Sequence, residues 1–182
     1  MNLKDYLAQS GDSPIGRTKE WLPLSRLPVT TGALWAGDPL LANDDDGCTV
    51  EVPAGDYLVE AIGRTWEYGR CTAGLRVRLE AVSMPAVGDE IGDTGTDSGM
   101  IAVCDIWAFL AAFGDAEPYD RFKVIEPQTS EGCGVVTVAG FPNALMPFVP
   151  TGSDGMWPVF ALVSGGECVG IELPFMFDDD ED

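Results

Sequence analysis

Read for the alternation of apolar and polar positions, the chain breaks into short segments with a period of two. Leu75, Val77, Leu79 and Ala81 fall on one side of a segment, with Arg76, Arg78 and Glu80 on the other. That pattern predicts an antiparallel strand covered on one face. Tyr57, Val59 and Ala61 share a face in the segment before it, and Val50 and Val52 share one ahead of a Pro-Ala-Gly-Asp turn. Leu27–Thr30 and Ala33–Trp35 predict two short strands joined at Thr31-Gly32, and Val135, Val136 and Val138 predict another. Two apolar segments, MWPVFALV and ECVGIELPF, flank Ser-Gly-Gly, a hairpin signature.

The period changes at Met100. Met100–Cys104 is a continuous apolar run, as in a central strand, and Asp105 is a suitable helix N-cap. Ile106, Phe109, Leu110 and Phe113 then recur at helical spacing, with Gly114 placed to end the helix. A short helix is also expected over 14–24, capped by Ser13, opened by Pro14 and closed by Pro23. Residues 43–47, the stretch TWEYGR and the polar stretch 115–132 predict loops or turns, and no internal repeat is evident.

The expected fold is therefore a β-rich α+β domain over residues 27–177. Its antiparallel hairpins would form a sandwich or strongly bent sheet around one short buried helix. A segment 1–26 precedes it and an acidic tail, 178–182, follows. Composition agrees: 46% of residues are hydrophobic, and 22 Gly and 13 Pro are spread along the chain as turn markers. The N-terminus lacks a basic region followed by an apolar one, which predicts a cytoplasmic protein. Five widely spaced cysteines without a Cys-x-x-Cys pair predict reduced thiols rather than a disulfide framework or zinc site.

Charge alters the functional picture most. Thirty acidic residues face ten basic ones, a net charge of −20, and no Lys or Arg follows Lys123. Such a field repels nucleic acid and anionic membrane and attracts a basic protein. The chain has no histidine, which removes His-based nucleophilic triads, His-ligated metals and imidazole acid–base catalysis. GDTGTDSG matches neither glycine-rich phosphate motif. An EF-hand centred on Gly47 fails at Ala42 and Pro53, leaving only an irregular calcium loop at Asp44, Asp45 and Asp46 as an option. No cofactor is implied.

Two sets of candidate residues remain. As a carboxylate- or metal-dependent hydrolase, the chain would use Asp38, Asp97, Asp105 and Asp154, each at a strand-end turn. Against this, Asp97 and Asp105 are separated by roughly 26 Å if the strand between them is extended. Asp97-Ser98-Gly99 also has a plain reading as a tight turn whose own side chains bond nearby N–H groups. As a non-catalytic protein-binding module, the chain would present a negative face drawn largely from residues 115–182. Asp115, Glu117 and Asp120 open that face, with Trp66 and Tyr68 as exposed aromatic contacts. Neutralisation of a cationic nuclease toxin is one concrete form of this reading.

Four segments also occur in a recognisable order: TGALWAGDPLL, VPAGDYLVEA, TDSGMIAVCD and GSDGMWPVFALVSGGECVGIELPF. Together they resemble the bacterial family called domain of unknown function 4241. The resemblance covers about residues 27–175 and implies a β-rich domain. It implies no catalytic residues, and the acidic ending departs from it.

Overall fold

A computed structural model describes residues 1–9, 15–42, 47–67, 69–130 and 132–175. Most of these lie in two antiparallel sheets. The larger contains β1 (Gly16–Arg17), β2 (Leu22–Val29), β5 (Gly55–Trp66), β6 (Gly69–Leu79), β7 (Ala86–Thr96), β11 (Gly155–Ser164) and β12 (Glu167–Pro174). Its order is β1-β5-β6-β12-β11-β7, with β2 also paired to β5. The smaller, in the order β4-β3-β8-β10-β9, contains β3 (Ala33–Gly37), β4 (Cys48–Glu51), β8 (Met100–Asp105), β9 (Gly134–Val138) and β10 (Phe141–Pro150). Three α-helices complete the described chain: α1 (Leu3–Leu7), α2 (Ile106–Ala111) and α3 (Pro118–Thr129).

Alternation places the core. Tyr57, Val59, Leu75, Val77, Val159 and Ile171 of the larger sheet share one buried cluster with Leu34, Ala36, Ile101 and Val103 of the smaller. The other faces of β3 and β8 supply Trp35, Ala102 and Cys104 to a second cluster with Phe109 of α2 and Ile125 of α3. Both faces of β8 are therefore covered, which is why Met100–Cys104 reads as an unbroken apolar run.

The strands Leu22–Val29 and Ala33–Gly37 do not form a hairpin with each other. The chain changes sheet at Thr30–Gly32, and again at 52–54, at 97–99 and at 151–154. These four crossings expose an internal repeat that the sequence conceals. Apart from β1 and β9, both sheet orders are symmetric: β2-β5-β6 mirrors β7-β11-β12, and β4-β3 mirrors β10-β8. The register agrees, because Leu34 faces Asp105 and the pairing advances evenly to Gly37 and Ala102. Each half has the same signature, a Gly and an Asp six residues on, GALWAGD at 32–38 and GMIAVCD at 99–105. Each returns through Val-Pro-x-Gly, at 52–55 and 149–152. The insertion of α2, α3 and β9 into the second half hides the equivalence.

Several expectations are corrected. Residues 15–24 hold β1 and the start of β2 rather than a helix; the short helix lies earlier, where Leu3 and Tyr6 enter the core with Leu22 and Leu27. Residues 10–14 are outside the described chain. The polar stretch 115–132 contains α3, the longest helix described. It escapes the periodicity test because Pro127 interrupts it and Ile125 is its one buried large apolar residue. TWEYGR does hold a turn, the reversal of the β5–β6 hairpin, although β5 runs through Trp66 and β6 begins at Gly69. The strands β7 and β10 also lack an alternating pattern. Three glycines and three acids interrupt β7, and a register irregularity between Phe141 and Leu145 brackets Pro142 and Asn143 in β10.

Candidate functional site

The repeat brings two aspartates to equivalent corners, and each carboxylate accepts the same kinds of donor on the same oxygens. Asp105 ends β8. Its Oδ1 accepts from the backbone N–H of Ala108 at 3.3 Å, capping α2, and from the Thr31 hydroxyl. Its Oδ2 accepts from the N–H groups of Thr30 and Thr31 at 2.6 and 2.9 Å and from the Thr30 hydroxyl at 2.9 Å. Asp38 ends β3. Its Oδ1 accepts from the Leu40 N–H at 2.9 Å, capping the 3-10 turn Pro39–Leu41, and from the Ser98 hydroxyl at 2.9 Å. Its Oδ2 accepts from the N–H groups of Asp97 and Ser98 at 3.0 and 2.9 Å and from the Thr96 hydroxyl at 2.9 Å.

Each carboxylate thus takes three backbone and two hydroxyl donors, which fills the acceptor capacity of its two oxygens. Both are enclosed, with Asp38 4% and Asp105 1% exposed. Burial works to raise the Asp105 pKa, but the bonds from Thr31 and Thr30 outweigh it and hold the carboxyl below its usual range. Each corner is then tied to its neighbouring crossing. Val52 N–H donates to Gly32 O and Thr151 N–H to Gly99 O, each at 2.9 Å. Gly32 and Gly99 have φ of +79° and +67°, where a side chain would be strained.

The candidate acids therefore do not assemble into one centre. Asp38 and Asp105 sit at opposite ends of the β3–β8 pair, about 13 Å apart by four residues of strand rise. Asp97 and Asp154 flank the Asp38 corner: Asp97 lends its backbone N–H, and Asp154 Oδ1 lies 3.8 Å from where a Cβ on Gly99 would stand. Both side chains are exposed. The turn at 97–99 is real, but the distant Asp38 carboxylate holds its N–H groups rather than the Asp97 side chain. Among the described residues no three Cys, Asp or Glu side chains are placed to share a metal ion. Asp44, Asp45 and Asp46 lie outside those residues.

The partner-binding candidates are also dispersed. Trp66 is half-buried at the end of β5, near Gly152, rather than exposed in a polar turn. Tyr68 is outside the described chain. Asp115, Glu117 and Asp120 are exposed where α2 passes to α3. Their surroundings are mixed in sign, because Arg121 and Lys123 share the helix and Lys123 pairs with Asp120 at 2.9 Å.

β7 carries no alternating pattern that marks it as a strand in the sequence. It lies at one border of the larger sheet and exposes Asp89, Glu90 and Asp93 beside Val87 and Ile91. Its C-terminal end opens on a cavity of about 390 Å³ lined by Leu41, Gly47, Thr96, Asp97 and Met156, among others. No Lys or Arg occurs between Arg78 and Arg121, so the whole strand is free of cations. That gap was visible in the sequence, although the sheet border was not. Among the described residues no helix is long and apolar enough to cross a membrane. No family model, curated protein or solved structure matches the chain.

Proposed function

We propose that this protein is a non-catalytic binding module, built as a sandwich of its two sheets, that engages a basic protein surface through the β7 side. The observation that carries this reading is the segregation of charge between equivalent halves. In the first half, Glu60 lies 3.1 Å from Arg76 and 2.8 Å from Arg78, and Glu80 lies 2.5 Å from Arg26. In the second half, none of the strands β7 to β12 contains a cation, and β7 alone exposes three acids, Asp89, Glu90 and Asp93. A one-signed surface of this kind speeds encounter with an oppositely charged partner and makes it salt-sensitive. Neutralisation of a cationic nuclease toxin remains one concrete form. The likeness to domain of unknown function 4241 is compatible with the reading and assigns no residue a role.

The hydrolase alternative gains nothing from the geometry, because the two buried carboxylates spend their oxygens on the chain itself. The test is retention of partners on immobilised protein at low and high salt, with Glu90→Lys/Asp93→Lys as the control. Retention should fall with salt and on the variant. Salt-indifferent retention that the variant leaves unchanged would contradict the proposal.

A further inference from the structure

The sheet borders differ in how they are closed. At the β9 border, Gln128 of α3 imitates a strand: its Oε1 accepts from Thr137 N–H at 2.9 Å and its Nε2 donates to Thr137 O at 3.1 Å. The β2 border includes Pro23 and Pro28, which lack N–H donors. The β4 border is four residues long. By contrast, β7 has eleven residues and no proline, and among the described residues it pairs only with β11. Its outer N–H and C=O groups are a template for another strand.

We infer that the open edge of β7 is a strand-addition site for an extended, basic segment of a partner protein. This rests on the reading above and specifies its mode. Main-chain hydrogen bonds would give the affinity, and the edge side chains the selection. Val87 and Ile91, 54% and 41% exposed, offer apolar contact, while Asp89, Glu90 and Asp93 favour Lys or Arg across from them. The same acids repel a second copy of this edge. Two register irregularities against β11 bend it further from flat self-pairing. At the end of the strand the cavity suits one long basic side chain, its stem beside Leu41 and Met156 and its charge at Asp97.

The test uses the full chain and two ten-residue peptides that alternate Lys with Val and Thr, with blocked ends. The second carries backbone N-methyl groups at alternate residues, which removes edge hydrogen bonds and keeps every charge. At low salt the unmodified peptide should bind about tenfold or more tighter, because several hydrogen bonds separate the two. It should also slow amide hydrogen exchange within 86–96. Equal binding without that protection would overturn strand addition and leave the electrostatic reading standing. Binding by neither peptide would remove both. Protection of 86–96 without peptide that grows with protein concentration would also overturn the inference, by assigning the edge to a second copy.

Discussion

The strands β2 and β7 occupy equivalent places in the two halves, each the outer partner of a long hairpin, yet they solve the problem of a sheet border differently. On the first, two prolines remove donors, Arg26 pairs with Glu80, and α1 packs Leu3 and Tyr6 against the same core as Leu22 and Leu27. On the second, three glycines and three acids leave the backbone open and the charge uncompensated. Inside, the halves keep the same corner, with a positive-φ Gly and a saturated Asp. The contrast separates what the scaffold requires from what its surface is free to vary. The corners hold the sheets together, and the borders carry the difference on which function can act.

If the corners are truly equivalent, Asp105→Asn and Asp38→Asn should cost alike. An amide group cannot accept where a carboxylate oxygen did, so each variant sets an NH2 against at least one buried backbone N–H. We expect each to lose about 3 kcal/mol or more, since hydrogen bonds to a buried charge are among the stronger ones. Chemical denaturation measures this, and a cost below about 1 kcal/mol at either site would break the equivalence. The Asp105 contribution should also depend on pH. Its folded pKa is depressed, so the stabilisation is complete above the ordinary carboxyl value of about 3.9 and fades as pH drops through the lower folded value. Melting curves of Asp105→Asn should accordingly lack part of the wild-type slope below about pH 4.

A smaller effect is expected at the glycines. Gly32→Ala and Gly99→Ala each force a side chain into left-handed backbone, at about 1–2 kcal/mol apiece. Gly32 should be the costlier, because an added Cβ would sit 3.3 Å from Val52 O, whereas at Gly99 its nearest neighbour, Asp154 Oδ1, is at 3.8 Å. The smallest effect sharpens the contrast between borders. Glu90→Gln and Asp93→Asn should change stability by less than about 0.5 kcal/mol, and relief of repulsion would make the sign favourable. A clear loss of stability in either variant would mean that β7 uses those acids internally, which would remove the basis for a binding role.

Much of this was legible in the sequence where alternation governs. Tyr57, Val59, Leu75 and Val77 all reach the core as their period predicts, and Asp105 caps the helix after it. The segments GALWAGD and GMIAVCD were visible too, but their meaning was not, because a carboxylate's partners lie up to 75 residues away. Nothing local to Asp38 or Asp105 says that Ser98 or Thr30 will donate to it. α3 was illegible for another reason: Gln128 and Thr137 complete one another's hydrogen bonding across a turn, so the helix is fixed by the strand it shields rather than by its own apolar stripe. β7 stayed hidden because a border strand with few buried side chains has no face to write into its sequence.

The scarcity of cations in the second half, where Arg121 and Lys123 of α3 are the only ones, also decides which reagents can see it. The chain has only three lysines: Lys4 on α1, Lys19 just before β2, and Lys123 on α3. Cross-links through lysine will therefore fall at those places alone and leave β7 and β11 silent. Trypsin has no site after Lys123, so β9 through β12 leave a digest within a single fragment, residues 124–182. Mapping this border calls for carboxyl-coupling chemistry and an acid-specific or non-specific protease.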